Sequence, residues 1–402
     1  MSVTNDLVTD QRVLRSCSAL LEAGYEVTLV GRRTRRTPEG MPDSWRALPS
    51  GFRMHRMRLL FARKAVFYAE YNLRLFLRLL FSRADLFYSN DTDTLPANWL
   101  AACVRRKPLF FDAHEMFPEV PELVGRPRVK RVWTAIEDAI LPRMARRCGD
   151  SYKGKVRCAT VTVCRSIADI YRERYGLQMG VVRNVPADFP VDFEAAAGMR
   201  AAIPADRKIL LYQGAVNIGR GIEWMMDAMP LLPDFHLVVA GVGDIYDDLL
   251  AEQERGHIGN CTFLGRVEPR VLHAFTFYAS LGLSLLENRG LNYYYSLPNR
   301  IADFVQAGVP VLATDFPEIH RVVAGYRIGT LVPPASFDSS TGRSVPPDPH
   351  ELANVVRATV AEWEALPEAE RQSRFAVAAA DLSWNSEKMS LLSQINTIIS
   401  PN

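Results

Sequence analysis

Among the six cysteines of this 402-residue chain, no two stand as a CxxC pair. Cys148, Cys158 and Cys164 form the one local group, and none has a histidine at metal-ligand spacing. The pattern excludes a zinc finger and a disulfide scaffold, and it points to reduced, packed thiols in a cytoplasmic protein. The opening MSVTNDLVTDQR is polar, so no secretory leader is expected. There is no low-complexity tract. Nor does a nucleic-acid-binding motif or an aromatic platform accompany the basic residues, so nucleic acid is not an expected partner. GVGDIY, Gly241 to Tyr246, lacks the third glycine of a dinucleotide fingerprint, which argues against an NAD-dependent oxidoreductase.

What the chain does contain is globular: 48% hydrophobic and 23% charged residues, over a length that suits two domains of about 200 residues each. The net charge of +3 conceals an asymmetry. Residues 1–185 hold 32 Lys and Arg against 19 Asp and Glu; the remainder holds 16 against 26. A basic first half suits an acidic partner such as a membrane surface or a phosphorylated lipid.

Apolar strand runs alternate with helical patterns through both halves. YEVTLV, DLFYSN, PLFFDAH and ATVTVC read as buried parallel strands of the first half. KILLYQG, FHLVVAGVG, GLSLLE and VPVLATD repeat the plan in the second. The alternation predicts an α/β protein of two Rossmann-like, doubly wound parallel-sheet domains, 1–184 and 185–380. Prolines in Val181 to Pro190 mark the boundary. Pro333 to Pro349 reads as a surface loop, and helices follow at Glu351 to Leu366 and Trp384 to Ile399. Only Ser2, Val3 and Thr4 precede the first loop, so the first strand looks clipped. Ligand-binding residues in such sheets sit at strand C-termini, here Asn90-Asp91, His114-Glu115, Gly214 and Glu287.

The most informative stretch is Tyr295 to Asp315, YSLPNRIADFVQAGVPVLATD. Ser296 is placed to cap a helix, and Pro298 suits its first turn. Ile301, Phe304 and Val305 make the apolar stripe, while Asn299 and Asp303 share another face at i,i+4. A helix N-terminus of this kind favours phosphate, and a carboxylate one turn in suits ribose hydroxyls. In GAVNIGRG, Arg220 followed by Gly221 places a guanidinium and a second helix start at the same phosphates.

These residues resemble family 4 of the glycosyltransferases. The resemblance rests on TNDLxTDQRV (Thr4 to Val13), AEYNLRLF (Ala69 to Phe76), SNDTDTLPAN (Ser89 to Asn98) and DAHEMFPEVPEL (Asp112 to Leu123). SIADIY (Ser166 to Tyr171), RNVP (Arg183 to Pro186), QG…NIGRG (Gln213 to Gly221) and SLPNRIADF (Ser296 to Phe304) continue it in order, covering residues 3 to 332. It implies the GT-B fold, two facing domains with a cleft between them, and a last helix, 381–402, that returns to the first domain. It also implies a nucleotide-diphosphate sugar as donor, a glycan or lipid-linked acceptor in cell-surface polysaccharide synthesis, retention of anomeric configuration, and no metal cofactor. His114 would then contact the transferred sugar or its phosphate, with Asp91 and Asp93 orienting acceptor hydroxyls and Asn5, Asp6 and Asp10 on the first loop. The donor would be held by Gly214, Asn217, Arg220, Gly241, Glu287, Ser296, Leu297, Pro298, Asn299 and Asp303. Many family members carry two glutamates eight positions apart; here Tyr295 and Asp303 stand there. Ala215 replaces the family's loop arginine, and Arg220 stands for its lysine.

Ala65 to Phe81 holds 13 apolar residues in 17, with Glu70, Arg74 and Arg78 as a narrow charged stripe. It is too short and too charged to span a bilayer, and it reads either as a buried helix or as a peripheral contact at the inner face of the membrane. Two rival readings of the whole chain stay open: a sugar-nucleotide epimerase of the same fold, and a non-catalytic nucleotide-sugar-binding scaffold.

Overall fold

The computed structural model describes residues 1–399 except 8–9, 36, 38–39, 42, 121–122, 124, 149–153, 155, 187–190 and 339–342. Parts of the TNDLVTDQRV and DAHEMFPEVPEL motifs, of the 181–190 boundary and of the 333–349 loop thus lie outside the described residues. The chain divides into two compact units, Met1–Asn184 with Asn385–Asn402, and Val185–Trp384.

Unit 1 is built on β1 (Val27–Arg33), β2 (Phe52–Arg58), β3 (Phe87–Asn90), β4 (Leu109–Ala113), β5 (Cys158–Thr162) and β6 (Gly180–Val181). All pair in parallel, β1 with β2 and β3 through β6 in sequence. Residues 1–3 join the two sets. Val3 N–H donates to Val30 O and Ser2 N–H to Tyr88 O, while Val30 N–H and Asn90 N–H return to Met1 O and Ser2 O. The short segment that looked like a clipped strand therefore occupies a strand's place between β1 and β3. This satisfies backbone groups that burial would otherwise leave unpaired.

Side-chain contacts tie the helices to this sheet and to one another. Asp10 caps the helix Gln11–Glu22 by accepting from Val13 N–H at 3.0 Å. From that helix, buried Arg12 reaches Asp112 of β4 at 2.6 Å and Val182 O at 2.8 Å. In the helix Asp91–Arg105, Pro96 sits inside the second turn, where its ring and missing N–H disturb the ladder. Asn72 of the helix Lys64–Leu80 fills the gap, donating to Asp93 O at 2.8 Å and accepting from Ala97 N–H at 3.2 Å. The helix Trp384–Ile399 also packs here, burying Leu391, Ile395 and Ile398. Its Glu387 accepts from the Arg183 N–H and Nε at 2.6 and 2.7 Å.

Unit 2 carries a six-stranded parallel sheet: β7 (Lys208–Gln213), β8 (Phe235–Ala240), β9 (Cys261–Gly265), β10 (Ala279–Ser284), β11 (Val311–Thr314) and β12 (Gly329–Val332). Their order is β12-β11-β10-β7-β8-β9. Alternate residues of β7 enter different cores: Ile209 and Leu211 meet Phe304 and Phe316, while Leu210 and Tyr212 meet Trp224 and Val356. Both faces are thus covered, which is why these strands read as continuous apolar runs. In the 333–349 loop, 337–338 (β13) pairs antiparallel with 343–344 (β14).

The order reverses between β7 and β10 in unit 2. It reverses between residues 1–3 and β3 in unit 1. Ligands of doubly wound sheets bind at such switch points, beyond the strand C-termini.

Candidate active site

At the switch point of unit 2, three loops meet: 214–221 after β7, 241–245 after β8, and 285–290 after β10. Their backbones approach too closely for side chains. A Cβ on Gly241, which has φ +146°, would lie 1.8 Å from Gly214 O, so this position needs glycine. Asn217 Oδ1 accepts from Asp244 N–H at 3.0 Å and ties the first loop to the second. Gly219 O accepts from Glu287 N–H at 3.0 Å and ties it to the third.

Two guanidinium groups lie in this frame. Arg220 stacks over the Tyr293 ring at 4.7 Å, and Arg300 over the Tyr212 ring at 4.2 Å. Arg300 is buried beside Gly214, where a Cβ would come 3.3 Å from its Nη2. Burial pushes the Arg300 pKa down, and the charge of Arg220 pushes it the same way. Arg220 Nε and Arg300 Nη1 are buried without a hydrogen-bond partner, and among the described residues no carboxylate forms an ion pair with either group. The Tyr212 hydroxyl and the charge of Asp303 offset part of the cost of burying Arg300, and an anion bound here relieves the remainder.

The remaining residues expected at the donor are spread around this centre. Asp303 accepts from Gln213 Nε2 at 2.8 Å, and its other oxygen lies 3.9 Å from His273 Nδ1. Thr276 in turn donates to Gln213 Oε1 at 3.0 Å, so Asp303 is oriented from below. Three expectations are corrected. Ser296 does not cap the helix Asn299–Ala307; its hydroxyl donates to Tyr293 O at 2.9 Å and closes the preceding turn. Pro298 stands one position before the helix rather than within it, as the residue at the cap, because its ring fixes φ at −63° while ψ remains extended at 133°. Glu287 does not end a strand, since β10 stops at Ser284; it is buried, accepting from Arg289 Nη1 at 3.2 Å and from Ser344 Oγ at 3.1 Å. Leu297 packs on the core around Phe304, and Asn299 opens the helix on the exposed side.

At the switch point of unit 1, Asp91 takes a left-handed backbone conformation, φ +57°, which Asp and Asn tolerate better than most residues with a side chain. The fold exploits it to aim the carboxylate at His114: Oδ1 accepts from the His114 N–H at 2.7 Å, and Oδ2 lies 3.2 Å from Nδ1. On the other side of the ring, Nε2 lies 3.5 Å from Asp112 Oδ2. Asp112 is itself fixed by Arg12 and by the Tyr88 hydroxyl at 2.8 Å. Burial works against the His114 imidazolium, but Asp91 and Asp112 overcome it and raise the pKa to about 9. Burial raises Asp91 to about 8 and Asp93 to about 7, while His114 pulls both back. Asp112 is held far below the usual range: burial alone would raise it, but Arg12 and His114 outweigh that.

Asp93 lies next to this group and accepts from the Thr4 hydroxyl. Asn5 and Asp10 are used within the loop itself, Asn5 Nδ2 donating to Asp10 at 2.6 Å, and Asp6 accepts from Thr37 at 3.3 Å. Sequence reasoning overlooked Arg12, Asp112 and Arg300. Arg300 had a readable signal: it precedes Phe304 by four residues, on the edge of the buried stripe.

The family model described as Glycosyltransferase Family 4 matches residues 10–186, and that described as Glycosyl transferases group 1 matches residues 207–360. Each half of the chain thus matches a glycosyltransferase family model, the first half that of family 4. A phosphatidyl-myo-inositol mannosyltransferase of Mycobacterium leprae (strain TN) is 27% identical over 155 residues, 37% of this chain. The chain spans about 40% of the length of that curated relative. Among solved structures, sucrose-phosphate synthase from Thermosynechococcus elongatus superposes with a TM-score of 0.71 at 17% identity, over 96% of this chain and 92% of that one. HepE of Anabaena, in complex with UDP-glucose, gives 0.68 at 12% identity, with 98% of each chain covered. At these identities the likeness establishes the GT-B fold.

Proposed function

We propose that this protein transfers a sugar, with retention of configuration, from a nucleoside diphosphate sugar to a glycan or lipid-linked acceptor of cell-surface polysaccharide. The observation that carries the reading is the pair Arg220 and Arg300, each with one buried N–H group unpartnered and each stacked on a tyrosine ring at the switch point of unit 2. A departing nucleoside diphosphate gathers negative charge, and two preorganised guanidinium groups in a buried site stabilise it without a metal ion. Asn299 presents the helix N-terminus to the same anion. Asp303, oriented by Gln213, receives the ribose hydroxyls. Gly214 and Gly241 admit the nucleotide close to the backbone, and Asn217 and Glu287 hold the loops around it. In unit 1, His114 in its imidazolium form meets the oxygens of the transferred sugar or its phosphate, with Asp91 setting the ring's orientation. Binding of UDP-glucose by HepE and mannosyl transfer by the mycobacterial relative support this donor class. The acceptor is taken up at the inner face of the membrane.

A thermal-shift panel of UDP-, GDP-, dTDP- and ADP-sugars, with and without chelator, tests the reading. One nucleotide raises the melting temperature by several degrees, and the chelator leaves that shift unchanged. Arg300→Met weakens the donor about tenfold or more, because it removes one of the two cations facing the diphosphate. A donor shift that survives in both Arg300→Met and Arg220→Ala sinks the site assignment. The anomeric configuration of the product, read by NMR, tests retention.

A further inference from the structure

The helix Pro127–Ala145 buries Trp133, Ile140, Leu141 and Met144, and Glu137 stands in the same stripe. A carboxylate in an apolar stripe needs partners. Glu137 takes three, all of them hydroxyl groups. Its Oε1 accepts from Thr92 at 2.7 Å and from Tyr171 at 3.4 Å, and its Oε2 from Tyr175 at 3.0 Å. Tyr171 and Tyr175 share one face of the helix Arg165–Tyr175. Among the described residues no cation forms an ion pair with Glu137; Arg174 lies over the Tyr175 ring and pairs with Asp138. Burial raises the Glu137 pKa above the ordinary value, against the pull of the hydroxyl donors.

This cluster has no part in the chemistry described above, yet Thr92 directly follows Asp91. The left-handed turn at Asp91 is fastened on both sides. Before it, Asn90 donates to Ser2 O through its backbone N–H at 3.1 Å and through Nδ2 at 2.9 Å. After it, buried Thr92 is held by Glu137. Even for Asp the left-handed region is the less favoured one, and free neighbours would let the residue leave it. Burial, Glu137, Tyr175 and Asp91 all push the Tyr171 pKa up, so both carboxylates stand near one hydroxyl.

We propose that Glu137 is a positioning residue of the His114 site: through Thr92 it holds the turn that keeps the Asp91 carboxylate on the His114 ring. Its consequence for sugar transfer rests on the role given to His114 above. The arrangement itself is tested without any donor.

The test is the pH titration of the His114 ring in proton–nitrogen correlation spectra of the full chain, its signal identified by its loss in His114→Gln. The ring is faced by Asp91, by Asp112 from its own strand and by Arg12 from the first helix, while Asp93 and Glu115 face Asp91. In the wild type the midpoint lies at about 9. Thr92→Val keeps the shape and removes the donor. It lowers the midpoint by at least about one unit, because the Asp91 carboxylate leaves the ring. Glu137→Leu lowers it as far, and Glu137→Gln, which still offers Thr92 an acceptor, restores it. Tyr175→Phe removes a partner of Glu137 without touching Thr92; it lowers the melting temperature and leaves the midpoint in place. A folded Thr92→Val protein that titrates like the wild type overturns the proposal. So does a midpoint that falls equally in Tyr175→Phe, the mark of general loosening. The role of His114 in transfer fails separately, if His114→Gln leaves turnover of the donor unchanged.

Discussion

At the scale of single residues, this protein concentrates charge where burial makes it expensive. Arg300 and Arg220 have no carboxylate partner among the described residues, whereas His114 has two carboxylates, Asp91 and Asp112. The contrast separates guanidinium groups with an unpartnered N–H from an imidazole whose proton is held between two carboxylates. His114 also makes stability depend on pH. Its folded pKa, about 9, lies above the ordinary histidine value, so its contribution is complete below about pH 6.5 and is lost as pH rises through 9. Asp91 and Asp93, both raised, act with the same sign. Wild type is therefore more stable than His114→Gln by about 1–3 kcal/mol at pH 6. Urea titrations across the pH range should show the gap closing toward pH 10, and a constant gap rules out the imidazolium.

At the scale of elements, the helix Asp91–Arg105 shows how one pair of helices supports the site. Pro96 breaks its ladder, and Asn72 of the neighbouring helix supplies both a donor and an acceptor to the interrupted turn. Asn72→Ala leaves Asp93 O and Ala97 N–H without partners, at a cost of about 2–4 kcal/mol. Adding Pro96→Ala to that variant lets the turn close on itself and recovers part of the loss. Denaturation midpoints of the single and double variants measure both effects, and additivity of the two changes excludes the bridge.

For the whole molecule, the chain leaves unit 1 at Asn184, builds unit 2 without interruption, and returns at Asn385. Unit 1 thus depends on the chain's last helix, while unit 2 takes from it only the first residue, Trp384, which packs on the core around Phe304. Ending the chain at residue 384 strips the cover formed by Leu391, Ile395 and Ile398 and leaves Arg183 without Glu387. The loss is on the order of 5 kcal/mol, enough to unfold a marginal domain. Hydrogen exchange on the shortened chain should show lost amide protection in unit 1 and retained protection in unit 2; equal protection in both contradicts this dependence.

Much of the architecture was legible in the residues. Strand runs such as PLFFDAH and FHLVVAGVG are apolar without alternation because both faces of a parallel sheet are covered, and that physics is local enough to read. Gly308 likewise ends the helix Asn299–Ala307 in a left-handed conformation that glycine adopts freely. Three things were not legible. Residues 1–3 form a strand only because β1 and β3 offer edges on either side, a long-range condition. The Ser296 hydroxyl had two local acceptor and donor options, and the turn at Tyr293 decided between them. Arg300 and the Arg12–Asp112 pair reach across the fold, so their burial depends on partners that sequence spacing does not bring together. By itself, then, the sequence determined the two parallel-sheet halves and the helix and strand of the Tyr295 to Asp315 stretch. The tertiary structure decided which charges stay unpaired, because burial and pairing are properties of neighbours distant in the chain.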